Sequence, residues 1–146
     1  MLPRLKVLFL CTGNSCRSQM AEGWTRALHG ERIEAHSAGI EAHGVNPRAV
    51  QVMAEAGVDI RGQRSRTIDQ LERTGFDWVV TVCSAADERC PSFPGAPRRL
   101  HHGFDDPPTL ARDAKTEDDA LAPYRRVRDE IRSFIETLPR RLETTR

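Results

Sequence analysis

Apolar residues recur along this chain with two periods, and the switches between them outline its elements. Val7 to Leu10 is a short unbroken apolar run ending abruptly at Cys11, as expected of a strand buried on both faces. A Gly13-Asn14-Ser15 loop follows. Met20, Trp24, Ala27 and Leu28 then recur at helical spacing up to Gly30. Ile33 to Ala38 alternates and predicts a second strand. Asn46-Pro47 places an N-cap before a proline at the first helical position, Gly57 stops that helix, and Val50, Met53 and Ala54 are its expected buried stripe. A weaker helix is predicted over Thr67 to Arg73, with Thr67 as its cap. Trp78 to Val82 is the clearest strand, and it too ends in a cysteine, Cys83.

The second half is less regular. Residues 84 to 97 read as a short helix, Ala85 to Cys90, and a proline-rich loop. Arg98 to His101 is a weak fourth strand, and Gly103 to Thr109 is loop around Asp105-Asp106-Pro107-Pro108. Pro123 to Leu138 predicts an amphipathic helix with Val127, Ile131, Phe134, Ile135 and Leu138 on its apolar face. Arg125–Asp129 and Arg126–Glu130 are expected ion pairs one turn apart.

Strands alternating with helices predict an α/β domain, residues 1–146, with a parallel sheet covered on both faces. In such sheets ligands bind beyond the carboxyl ends of the strands. Cys11 and Cys83 both stand at such ends, so both thiols belong to one edge of the sheet. With 22 basic and 21 acidic residues, and a net charge of +1, the chain has no field to gather nucleic acid. The arginines of the last thirty residues read as a solvated helix face. No stretch reaches the ~20 apolar residues of a membrane span, and no signal-peptide pattern opens the chain. The expected location is cytoplasmic. Four cysteines there are reduced groups available for chemistry. Their spacing, Cys11-x4-Cys16 and Cys83-x6-Cys90, is wider than most zinc pairs, so nucleophilic or redox use is favoured and no metal or other cofactor is expected.

A strand turning through Gly, Asn and Ser into a helix N-terminus makes a cradle of backbone N–H groups for a tetrahedral anion. Cys11 lies at its floor and Arg17 at its lip. The Lys-Ser/Thr ending of a nucleotide-binding loop is missing. Cys-x5-Arg is therefore read as an anion loop with a cysteine nucleophile, whose thiolate the helix terminus and Arg17 favour.

The sequence Cys11-Thr-Gly-Asn-Ser-Cys-Arg-Ser18 after a first strand resembles the low-molecular-weight protein tyrosine phosphatase superfamily. The fuller set is similar to its thioredoxin-coupled arsenate reductase branch: Cys11 to Gly23, Ser37 to Pro47, Val80 to Cys83 with Cys90-Pro91, Gly103 to Pro107, and Arg126 to Ile131. The resemblance implies a three-layer fold on a four-stranded parallel sheet. It implies an oxyanion loop of Thr12, Gly13, Asn14, Ser15, Cys16, Arg17 and Ser18, binding arsenate, with phosphate or sulfate as mimics. It further implies Cys11 as nucleophile, Arg17 as clamp, Cys83 and Cys90 as a resolving redox pair, and Asp106 as general acid. Thioredoxin is the expected reductant of a monomeric enzyme with weak phosphatase side activity. Were 83 to 90 a continuous helix, seven residues at a rise of ~1.5 Å would part the two Cα atoms by about 10 Å. A disulfide spans at most ~7 Å, so this segment is expected to bend or unwind on oxidation.

Blander readings stand beside these. Cys16 can pack beneath the loop, and Asn14 and Ser18 can brace it. An Asp-Pro pair such as Asp106-Pro107 ordinarily starts a turn. The five histidines show no ligand spacing; His43 could border the pocket but is not counted as a site residue. Trp24 and Trp78 are core. Two departures from the family pattern stand out: Arg66 where some relatives bind potassium through an acidic residue, although Asn14, Glu22 and Ser37 match the other ligand positions, and His102 where some carry tryptophan. A tyrosine phosphatase of the same fold is the second reading, disfavoured by Pro108 in place of an aromatic residue and by an idle Cys83/Cys90 pair. A non-catalytic oxyanion or redox sensor is the third.

Overall fold

Four parallel strands in the order β2-β1-β3-β4 form the sheet of this computed structural model, which describes residues 4–71, 75–84 and 98–144. The strands are β1 (Leu5–Cys11), β2 (Ile33–Gly39), β3 (Trp78–Thr81) and β4 (Arg98–His101). The helices are α1 (Arg17–His29), α2 (Pro47–Glu55), α3 (Pro107–Leu110), α4 (Glu117–Glu136) and α5 (Leu138–Thr144). Register pairs Cys11 with Gly39 on one side of β1 and Leu10 with Thr81 on the other.

The apolar run of β1 is divided between two cores. Val7 and Phe9 join Trp78 and Val80 under α1, α2, α4 and α5, whereas Leu8 and Leu10 join Val79, Ala38 and Phe76, with Ile68 and Leu71 closing the third layer. This two-sided burial is why β1 shows no polar alternation. Among the described residues no helix is long and apolar enough to cross a membrane.

Several element expectations are corrected. Residues Arg17 to Thr25 of α1 are all buried, because Gln63 and Arg64 bond Gln19 and Ile60 packs on Gly23. The last turn lacks this cover, so Ala27 and Leu28 face solvent instead of extending the stripe. The buried face of α2 is Ala49, Val52 and Met53; Ala54 is exposed and Val50 only partly buried, since the helix turns the neighbouring face to α4. In place of a Thr67 to Arg73 helix, the described residues form a 3-10 turn at Ile68–Gln70, closed by Thr67 N donating to Gln70 Oε1 at 2.9 Å.

Pro107 opens α3, where a loop was expected. The last long helix begins two turns before Pro123, because Thr116 accepts from Asp119 N at 3.0 Å and three acidic residues follow it in the first turn. Arg126–Glu130 forms as an ion pair at 2.9 Å, but Arg125 turns to Glu55 on α2 at 2.8 Å and leaves Asp129 to Arg128. The expected Ala85 to Cys90 helix and the bend between Cys83 and Cys90 lie outside the described residues.

Candidate active site

The strand order reverses between β1 and β3, and the crevice there is where a ligand settles in an open α/β sheet. Cys11 ends β1, and Cys83 follows β3 two residues beyond Thr81. Both are buried thiols, and Cys83 Sγ lies 3.9 Å from the Leu10 carbonyl oxygen. The edge shared by the two cysteines, expected from sequence, is thus also a shared pair of neighbouring strands.

Cys11 lies at the floor of a cavity of about 570 Å³. Thr12, Gly13, Ser15, Cys16 and Arg17 line it from the loop and the start of α1, and Asp106 and Pro108 from α3. Cys16 is the N-cap of α1 and supplies no side-chain acceptor to the first turn, which leaves the positive end of the helix directed at the loop. Burial pushes the Cys16 thiol well above its ordinary range, with the charges of Cys11 and Asp106 adding to this against Arg17. Cys16 is therefore held as a neutral thiol and does not compete as a nucleophile.

Asn14 and Ser18 do not line the cavity; they sit fully buried behind it. Asn14 adopts φ 45°, a left-handed conformation that few non-glycine residues accept. Its side chain accepts from Arg66 N at 2.7 Å and donates to Ser18 Oγ at 2.9 Å, and Ser18 Oγ lies 2.9 Å from Cys11 Sγ. The hydroxyl is thus placed to donate to a Cys11 thiolate. Glu22 and Ser37 lie deeper, with the Ser37 hydroxyl donating to Glu22 Oε1 at 2.6 Å and Arg26 Nη2 2.6 Å from Glu22 Oε2. Burial raises Glu22 above the usual carboxylate range against both partners. Of the oxygens expected to face potassium, those of Glu22 and Asn14 are already engaged, and Arg26 supplies the positive charge. The residues do not fit a potassium ion.

Arg17 is 4 % exposed, which fixes its guanidinium under the cavity wall. Its Nη1 donates to the Phe104 carbonyl at 3.0 Å, and Nη2 lies 3.4 Å from Asp106 Oδ1. The two adjacent aspartates separate cleanly. Asp105 pairs with Arg126 at 3.0 Å on α4, whereas Asp106 faces the cavity and accepts from Thr109 Oγ1 at 2.8 Å. Cys90 lies outside the described residues.

The sequence reading left out two cavity residues, Asn46 and His43. Asn46 is visible in sequence only as a helix cap, a role it also fills by accepting from Arg48 N at 2.8 Å. His43, raised by the sequence only as a possible border of the pocket, is brought to the loop by a backbone return. His102 lies in the loop after β4, half-buried in an aromatic stack with Phe104 and Phe134 at centroid distances of 4.8 and 4.5 Å.

Residues 6–146 match the model of the low molecular weight phosphotyrosine protein phosphatase family. An arsenate reductase of Halalkalibacterium halodurans is 53% identical over 131 residues, covering 90% of this chain and 92% of its own. The arsenate reductase of Bacillus subtilis is 50% identical over 135 residues, with 90% and 95% covered. A solved arsenate reductase in the phosphate binding state superposes with a TM-score of 0.76 at 30% identity, covering 94% of this chain and 98% of that one. The chain belongs to the low molecular weight phosphotyrosine protein phosphatase family, in the branch formed by its arsenate reductases.

Proposed function

We propose that this protein reduces arsenate to arsenite through a three-cysteine relay, with thioredoxin as the final reductant. The observation that carries the reading is the pair of buried thiols at the carboxyl ends of neighbouring strands, one of them flooring an anion cavity. Arsenate is tetrahedral and anionic, so the loop and Arg17 suit it as they suit phosphate.

The Cys11 thiolate attacks arsenic, and an oxygen leaves as water once Asp106 has given it a proton. Cys83, as thiolate, then attacks the sulfur of Cys11. The S–As bond breaks, its electron pair stays on arsenic, and arsenite departs from a Cys11–Cys83 disulfide. Cys90 attacks Cys83, which frees Cys11 and leaves Cys83–Cys90 for reduction by the same exchange chemistry. In sum, two thiols lose two electrons and arsenic gains two. The role for the chain is arsenic detoxification, carried out by a cytoplasmic, single-domain monomer. The Cys11 loop also supports weak phosphatase side activity, since phosphate ester transfer to Cys11 needs the same cradle.

The test is arsenate-dependent NADPH oxidation coupled through thioredoxin and its reductase. Wild type turns over continuously. Cys90→Ser stops after about one turnover, because its Cys11–Cys83 disulfide cannot be passed on. Continuous turnover by Cys90→Ser removes Cys90 from the relay, and failure of wild type with thioredoxin removes that reductant.

A further inference from the structure

The segment after β2 returns along the anion loop and bonds it at three residues. Glu41 N donates to Thr12 O at 3.0 Å, His43 N to Gly13 O at 3.0 Å, and Asn46 N to Ser15 O at 2.9 Å. These bonds hold the imidazole of His43 against Gly13, so closely that a Cβ on residue 13 would lie 2.6 Å from Nδ1. The space a side chain would fill at position 13 is occupied by this ring, which borders the same cavity as Cys11 and Arg17. Its Nε2 meets the Glu41 carboxylate at 2.5 Å.

The charges around the cavity make this placement consequential. Among the described residues that line it, Arg17 is the cationic side chain, and Asp106 lies 3.4 Å from its Nη2. Cys11 adds a negative charge when it is a thiolate. A doubly charged oxyanion therefore enters a cavity where the positive charge of Arg17 is already opposed. The remaining cavity-lining group that can become cationic near neutral pH is the His43 imidazole. The titratable and charged groups that bond it or share its cavity are Glu41 on its own segment, Cys11 and Cys16 on the loop, Arg17 at the start of α1 and Asp106 at the start of α3.

We propose that His43 is a binding residue of the oxyanion site, an imidazolium rim that balances the second negative charge of a tetrahedral dianion. The proposal rests on the loop being an oxyanion site. Affinity for dianions then falls as His43 loses its proton. A purely bracing role, through the backbone bonds and packing on Gly13, would make affinity insensitive to the charge at position 43.

Sulfate is the probe, because it stays a dianion throughout, and Cys11→Ser is the parent, because its hydroxyl does not titrate. Sulfate affinity is measured by calorimetry at about pH 6 and about pH 8.5, either side of the imidazole range. The parent is expected to lose roughly ten-fold in affinity between the two, the scale of one charge-assisted hydrogen bond. His43→Gln in that parent binds weakly at both values, and His43→Lys binds tightly at both. In enzymes with Cys11 intact, the KM for arsenate follows the same order. Equal pH dependence in the parent and His43→Gln, or equal affinities of the Gln and Lys variants, overturns the proposal while leaving the site intact. Failure of the parent to bind sulfate or phosphate at either pH overturns the oxyanion site itself and the role of His43 with it.

Discussion

Gly39 lies opposite Cys11 in the β1–β2 register, and a Cβ added there would lie 2.7 Å from Thr12 O and 2.8 Å from both Asn14 N and Cys11 O. All three atoms are backbone of the anion loop, so no side chain can rotate away to make room. Ordinary contact begins at 3.4 Å, which forces the loop or β2 back by about 0.7 Å in Gly39→Ala. Overpacking of this kind costs about 2 kcal/mol, a fall in Tm of roughly 6 °C for a domain of this size. The larger effect is on catalysis. The displaced atoms carry Cys11 and its cradle, and a shift of this size lowers kcat/KM for arsenate by about ten-fold or more. Gly62→Ala is the control, since nothing lies within 4 Å of its added methyl group. The assays are calorimetric melting and thioredoxin-coupled NADPH oxidation. A Gly39→Ala enzyme with the Tm and kcat/KM of the Gly62→Ala control would refute the view that β2 sets the position of the loop.

Three further outcomes follow from the surroundings of the site. Burial, and then Arg141, hold His102 below the ordinary imidazole range. The folded state therefore binds fewer protons than the unfolded one between that lowered value and about pH 6.5, and stability falls as pH drops through this window. His102→Phe keeps the stack and removes this part of the acid sensitivity in urea midpoints at about pH 7.5 and pH 5.5; an unchanged difference between the two refutes the assignment. Asn14→Ala loses the Arg66 N and Ser18 bonds and keeps an unfavourable φ, costing roughly 2–3 kcal/mol in denaturant unfolding, whereas Asn14→Gly loses the bonds alone and costs less. Equal losses would show that the left-handed backbone carries no strain. Exchanging potassium for choline leaves the KM for arsenate unchanged, because Arg26 and Ser37 already engage Glu22; marked activation by potassium would contradict that engagement.

Much of this architecture is legible in local patterns. The Val7 to Leu10 run, the Asn46-Pro47 cap and the Trp78 to Val82 run each yield an element near its place, because burial and capping leave marks at short range. The start of α4 is also local, but its signal is the Thr116 cap and acidic first turn rather than the proline that follows. Pairings chosen by distance in space are not legible in this way. Arg125 could reach Asp129 on its own helix but meets Glu55 on α2 instead. The faces of α1 and α2 are likewise decided by what covers them.

The same division runs through the site. By itself the sequence determines the candidate groups: a Cys-x5-Arg loop between strand and helix, a second cysteine ending another strand, and an Asp-Pro pair, all of which depend on residues adjacent in the chain. The tertiary structure alone decides that β1 and β3 are neighbours, that Asp106 rather than Asp105 faces Arg17, that Asn14 and Ser18 brace the loop from behind, and that His43 lies against Gly13. The physical reason is range. A helix cap or a buried strand is stabilised by contacts within a few residues, whereas the strand order and the return of residues 41–46 along the loop arise from packing and backbone bonds between segments that the sequence keeps far apart.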